Sequence, residues 1–246
     1  MDKLIYIAMT GAKHTLGQQA AVSHNLANAD STGFREEMHR FRSVDVTNSP
    51  LPSRAFVVDA SVATNFSEGP IKFTGRTYDV AIQGRGFFAV QGADGAEGYT
   101  RDGSFQLSPE GVLLTRSGRP VIGDGGPITI PPDNEIVIGK DGSISAIPAT
   151  GDKNAVNVVG RLKLVNPDEA TLERGEDGLF RVAGGAPAPL DENVQVAGGY
   201  LEGSNVNVVD QMTNMISVQR QFEMQMQVLR RAESNDQTAT KILSVG

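Results

Sequence analysis

VVDQMTNMISVQRQFEMQMQVLRRAESNDQTATKIL, residues 208–243, is the stretch that decides the fold. Val208, Met212, Met215, Gln219, Phe222, Met226, Leu229, Glu233, Asp236, Thr240 and Leu243 recur in it at alternating steps of four and three. Most are apolar, and this spacing is a heptad stripe along one face of a helix. The same spacing returns at the other end of the chain, at Ile5, Met9, Ala12, Leu16, Gln19, Ser23 and Leu26. A helix with a single apolar stripe needs a partner to bury it. The partners at hand are the other stripe and the matching helices of neighbouring subunits.

Between the two helices lie short Val/Ile/Leu/Phe runs broken by Gly, Pro and Asp, which read as strands and turns. Turn pairs stand at Asp94-Gly95, Asp102-Gly103, Glu110-Gly111, Ser117-Gly118 and Asp141-Gly142. Their spacing predicts meandering antiparallel hairpins. The expected fold is therefore α+β: N- and C-terminal helices paired as a coiled coil, with a central, mainly antiparallel β domain. Residues 1–34 read as the first helix and its exit turn, and 35–75 as an extended linker arm. Residues 76–195 read as the β domain and 196–246 as the segment carrying the last helix.

Local signals sharpen the helix ends. Asn207 suits an N-cap, and Asp210 three residues later favours the positive end of the helix dipole. The first helix carries Gly11 and Gly17, each costing about 1 kcal/mol against Ala. Ala8, Ala12, Ala20 and Ala21 would let a partner helix approach closely. After it comes Asn25-Leu26-Ala27-Asn28-Ala29-Asp30-Ser31-Thr32-Gly33-Phe34. Asn28 tolerates a left-handed conformation there, and Gly33 readily takes positive φ. Pro50 and Pro52 exclude a continuous helix in the linker, where Ala55–Val62 is compatible with a strand.

Composition narrows the function classes. The net charge is −7, the two ends are close to neutral, and the acidic excess falls on the middle. A pI near 5.0 with no basic stripe argues against nucleic acid. Cysteine is absent, which excludes disulfides, thiolate metal sites and a Cys nucleophile. The apolar run Leu4–Met9 is too short for a signal-peptide core or a membrane span.

No catalytic constellation survives inspection. Gly84-Arg85-Gly86-Phe87-Phe88-Ala89 imitates a dinucleotide fingerprint, but a strand follows it where such a motif needs a helix N-terminus. It reads better as a glycine hinge between two strands. His14, His24 and His39 do not pair at metal-ligand spacing. No G-x-S-x-G elbow is present, and Glu36-Glu37 sits in the expected linker. Catalytic, cofactor-binding and metal residues are expected to be absent. Gln219–Glu223 reads equally as a solvated helix face around Phe222 or as inter-subunit contacts beside the seam.

Three stretches together resemble the flagellar rod and hook family of axial proteins. They are Asn25–Asn28 through Thr32-Gly33-Phe34; Asp79–Phe88 continuing through Tyr99–Phe105, Gly111–Leu113 and Gly118–Val121; and Leu201–Asn207 followed by Met212–Glu223. The opening Met1–Tyr6, the length and the compact middle resemble the family's proximal rod members most, with a distal rod or hook-family subunit as the alternative. The resemblance implies a structural, non-enzymatic subunit that assembles helically with copies of itself and with other rod proteins. It implies an address in the periplasmic part of the basal body and delivery by the flagellar type III apparatus with an uncleaved N-terminus. It also implies that both terminal helices pair in the inner layer of the tube, with the β domain outside. The expected assembly seam is Ile5, Met9, Ala12, Leu16, Leu26, Val208, Met212, Met215, Phe222, Met226, Leu229 and Leu243. The expected signature turn is Asn25, Asn28, Gly33 and Phe34. A secreted carbohydrate binder or enzyme is the competing class, but the aromatic or paired-carboxylate cleft it needs is not evident.

Overall fold

The computed structural model describes residues 2–45, 55–131, 134–148 and 157–244. The chain is α+β: two terminal helices bracket many short, antiparallel strands. It divides into two compact units. One comprises residues 1–29, 35–65 and 206–246, and the other residues 30–34 and 66–205.

In the first unit α1 spans Asp2–Ala27 and α2 spans Val208–Ser244. Asn207 caps α2 as its side chain demands: its Oδ1 accepts from the Val209 amide at 3.0 Å and the Asp210 amide at 3.4 Å. The helices pack on each other. Gly11 of α1 lies against the Gln225 side chain, while residues 18–25 share a cleft with residues 211–221. Rising numbers on one helix meet falling numbers on the other, so the pair is antiparallel.

The stretch expected as an extended arm contains strands β1 (Glu37–Asp45) and β2 (Ala55–Thr64), which pair with each other antiparallel. An extended segment of nine residues exposes a row of unmet backbone donors and acceptors, and a hairpin satisfies them. Pro50 and Pro52 lie outside the described residues.

In the second unit, one antiparallel sheet orders its strands as Leu164–Val165, Phe87–Gln91, Glu97–Thr100, Phe180–Val182 and Leu172–Arg174. A second sheet is built from Asn134–Ile138, Ser143–Pro148 and Asn157–Arg161. The run Phe87-Phe88-Ala89-Val90 shows why no polar residue interrupts it. Phe88 and Val90 enter a core with Val80, Ile82, Phe105 and Leu113; Phe87 and Ala89 enter another with Tyr99, Val165 and Phe180. Both faces of that strand are buried, so its side-chain alternation carries no polar phase.

Gly95, Gly111, Gly118 and Gly142 turn with positive φ. Asp102-Gly103 does not make the hairpin turn that its dipeptide suggests. At Gly103 a Cβ would stand 1.7 Å from the Val80 carbonyl oxygen. Glycine is needed there for the close approach of two backbones, and the Gly103 carbonyl accepts from the Val80 amide at 3.0 Å.

Candidate functional site

Two surfaces carry the residues singled out by the sequence, one in each unit. In the helical unit, α1 buries Ala8, Ala12, Thr15, Ala21 and Asn25, and α2 buries Gln211, Val218 and Ala232. Ile5, Leu26, Met215, Phe222, Met226 and Leu229 are half-buried. Met9, Leu16, Val208 and Met212 are exposed, Met9 at 53% and Met212 at 51%. Leu243 lies in the last turn of α2 with its side chain outside the described residues.

The packed faces keep the three–four rhythm with a phase difference. Along α2 the inward series is Gln211, Met215, Val218, Phe222, Gln225, Leu229 and Ala232. Every second position coincides with the stripe of the sequence reading, and the intervening ones fall one residue earlier. On α1, Ala8 and Thr15 likewise stand inward where Met9 and Leu16 carry the stripe. The reason is size: alanines, threonine and Gly11 permit close approach, and the bulky neighbours turn away. Tyr6, Met9 and Leu16 on α1 and Val209, Met212, Ile216, Met224 and Val228 on α2 remain exposed.

Asn25, 2% exposed, has a role that helix periodicity could not reveal. Its Nδ2 donates to the Glu37 carbonyl at 2.8 Å, and its Oδ1 accepts from the Glu37 amide at 2.9 Å. The carboxamide thus pairs with the first residue of β1 as a neighbouring strand would. Asn28 closes the helix end, its amide and its side chain both donating to the His24 carbonyl, at 3.1 and 2.9 Å. His24 Nδ1 lies 3.1 Å from Glu37 Oε2.

In the β unit, the signature turn is a strap lying on a buried polar centre. Gly33 has φ of 65°. A Cβ there would stand 2.3 Å from the Arg101 carbonyl carbon and 2.4 Å from the Asp102 nitrogen, so alanine is excluded along with valine. The Gly33 amide donates to the Glu202 carbonyl at 2.9 Å. The Thr32 hydroxyl donates to Asp102 Oδ1 at 2.6 Å, and the Ser104 amide to the same oxygen at 3.0 Å. Burial pushes the Asp102 carboxyl above its ordinary pKa, against the opposing pull of Thr32 and Ser104. Phe34 is buried beneath Arg174, whose guanidinium lies 4.7 Å from the ring centre.

Beneath the strap sits an ion pair that the sequence did not announce. Arg101 Nε donates to Glu202 Oε2 at 2.7 Å, Nη2 lies 2.7 Å from the same oxygen, and both side chains are at most 2% exposed. Arg101 Nη1 donates to the carbonyls of Gly84 and Gly86, at 2.9 and 2.8 Å. The Gly84–Gly86 stretch is thus a hinge between strands Val80–Gln83 and Phe87–Gln91 whose carbonyls receive a guanidinium. Its resemblance to a dinucleotide fingerprint ends there. The Gly69 amide donates to Glu202 Oε1 at 2.9 Å. The only advance signal was that Arg101 and Glu202 both fall within the quoted stretches, 101 positions apart. Among the described residues no cluster of His, Asp and Glu could hold a metal ion, and no helix is long and apolar enough to cross a membrane.

Comparison with known proteins places these surfaces in context. Residues 5–35 match the family model "Flagella basal body rod protein". Residues 81–146 match "Flagellar hook protein FlgE/F/G D1 domain", and residues 197–242 match "Flagellar basal body rod FlgEFG protein C-terminal". The chain is 44% identical to flagellar basal-body rod protein FlgF of Salmonella typhimurium, with all of both chains covered. It is 40% identical to FlgF of Caulobacter vibrioides, over 91% of this chain and 90% of that one. It is 34% identical to flagellar basal-body rod protein FlgG of Buchnera aphidicola, over 89% of this chain and 92% of the relative.

Proposed function

The chain belongs to the family of flagellar basal-body rod proteins, as a FlgF-type member and structural subunit of the rod, and from that premise we propose how its two units divide the work. The helical pair is the assembly element. Its exposed apolar faces are covered by helices of neighbouring axial subunits, copies of this chain included, in a coiled-coil inner layer around the export channel. The subunit belongs to the proximal rod, occupies the periplasmic space, and reaches it unfolded through the flagellar type III apparatus with its N-terminus intact.

One observation carries this reading: α1 turns small residues toward α2, and the pair leaves Met9, Leu16, Met212 and Ile216 outside. Each large apolar side chain gains roughly 1.5–3 kcal/mol on burial, and a buried methyl about 0.8. The pair therefore leaves a substantial hydrophobic driving force unspent, on Met9, Leu16, Met212 and Ile216. The proximal assignment is supported by the 44% and 40% identity to FlgF of Salmonella typhimurium and of Caulobacter vibrioides, against 34% to FlgG of Buchnera aphidicola.

The test replaces Met212 and Ile216 together by Asp. The variant should retain a folded β unit, fail to co-purify with basal bodies, and leave a strain lacking the natural protein non-motile. Arg231→Ala, at an exposed position off the seam, should assemble normally. Wild-type motility and intact rods in the double variant would remove the assembly role from these faces.

A further inference from the structure

The chain passes between the two units four times, between residues 29 and 30, 34 and 35, 65 and 66, and 205 and 206. Four passages give the β unit four segments of its own to anchor. Within the β unit, each passage leads within a few residues to the same buried residue, Glu202. The strap 30–34, which holds the first two, fixes Gly33 by its amide to the Glu202 carbonyl. The third leads to Gly69, whose amide donates to the Glu202 carboxylate. The fourth follows Glu202 by three residues, and there the Asn205 side chain donates to the carbonyl and hydroxyl of Ser67, at 3.0 and 3.2 Å.

We propose that Glu202, held by Arg101, is a clasp that fastens every segment entering or leaving the β unit to one point. The chemistry fits a clasp better than ordinary core packing. A buried carboxylate next to a guanidinium is not an efficient way to add stability, because desolvation offsets most of the attraction. It is an efficient way to fix geometry. Oε2 takes two nitrogens of Arg101, Oε1 takes the Gly69 amide, and the same residue's carbonyl takes the Gly33 amide. Arg101 is in turn anchored on the Gly84 and Gly86 carbonyls, at the hinge of the main sheet. Glycines stand where the segments crowd together. At Gly69 a Cβ would meet the Gly203 carbonyl oxygen at 2.0 Å, and at Gly33 it would meet the Arg101 backbone. The consequence, which rests on the rod-subunit reading, is that torque carried by the helices enters the β unit at a single rigid point.

Amide hydrogen exchange on the full-length isolated chain tests the clasp without requiring the rod reading. The double variant R101M/E202M removes both charges, so neither is left buried alone, and the unit should fold. Protection of the Gly69 and Gly33 amides should fall at least tenfold, while strands Phe87–Gln91 and Glu97–Thr100 keep theirs. Unchanged protection at Gly69 and Gly33 would overturn the proposal. So would an equal loss throughout the sheet, because the pair would then be general core stabilisation. Swimming in a viscous medium supplies the second readout. A clasp that functions as proposed gives assembled rods with speed reduced at high load, whereas wild-type speed at every load overturns the mechanical role alone.

Discussion

The helical unit and the β unit of this chain solve opposite problems with the same alphabet. The β unit buries Phe88, Phe105, Ile82, Leu113 and Tyr99 almost completely, and it meets the polar end of Tyr99 with the Ala188 amide at 2.6 Å. The helical unit buries alanines and leaves methionines, an isoleucine and several valines in the open. The β unit closes two apolar cores, with Phe73 and Val158 left exposed, whereas the helical unit closes none of Met9, Met212 and Ile216 against itself. On the function proposed above, the β unit has its own closed core and the helical unit is half of an interface.

Substitutions in the two regions should therefore differ in kind. The largest effect is expected at the clasp. Arg101→Met removes the guanidinium from a buried carboxylate, a loss of about 3–5 kcal/mol. Urea unfolding followed by near-ultraviolet circular dichroism would measure it, and a loss below about 1 kcal/mol would contradict the burial argument.

Gly33→Ala comes next. It combines a strained positive φ with a Cβ driven into the Arg101 backbone, and should destabilise the β unit by more than about 2 kcal/mol. A crystal structure of a stable Gly33→Ala chain with the strap in place would show that the backbones yield more easily than this.

A smaller, pH-dependent effect is expected at Asp177. Hydrogen bonds from Arg181 hold its carboxyl at a pKa of about 2, below the ordinary 3.8, with the Arg181 and Arg119 charges assisting. The folded state binds its proton less readily than the unfolded state. Its contribution is therefore complete above pH 3.8 and is lost as the pH falls through about 2. With a quarter of the side chain exposed and screened, that is worth about 1 kcal/mol. Asp177→Asn should lose this amount at pH 7, and the gap to the natural chain should narrow toward pH 2. Asp102 has the opposite sign. Burial raises its pKa, so its proton favours the folded state and that contribution fades as the pH rises through the raised value.

The sequence made the two helices legible because each repeats one spacing over several turns, and Asn207 marks a start unambiguously. It made the antiparallel hairpins legible through Gly95, Gly111, Gly118 and Gly142, and the special conformation of Gly33 through its place after Thr32. It could not choose between Met212 and Gln211, or between Met9 and Ala8, as the inward residue. Neighbouring positions on a helix differ by about 100°, and which one turns inward depends on how closely the partner can come. Alanines on α1 settle that choice, and a stripe defined by hydrophobicity alone points to the larger neighbour. Asp102-Gly103 misled for a related reason: a glycine required by a second backbone looks the same in sequence as one required by a turn. The Arg101–Glu202 pair was out of reach because nothing local couples two residues so far apart along the chain.

Hydrogen exchange on the dilute, unassembled chain tests the contrast between the units most directly. An isolated helix pair that leaves Met9, Leu16, Met212 and Ile216 exposed is marginal in water, whereas the sheet has its own closed core. The account predicts strong protection in Phe87–Gln91, Glu97–Thr100 and Gln195–Gly198. It predicts protection at least a hundredfold weaker in residues 5–26 and 208–235, rising to the level of the sheet when the chain is incorporated into rods. Protection in the helices equal to that of the sheet in the dilute chain would contradict it, because the helical unit would then be complete on its own.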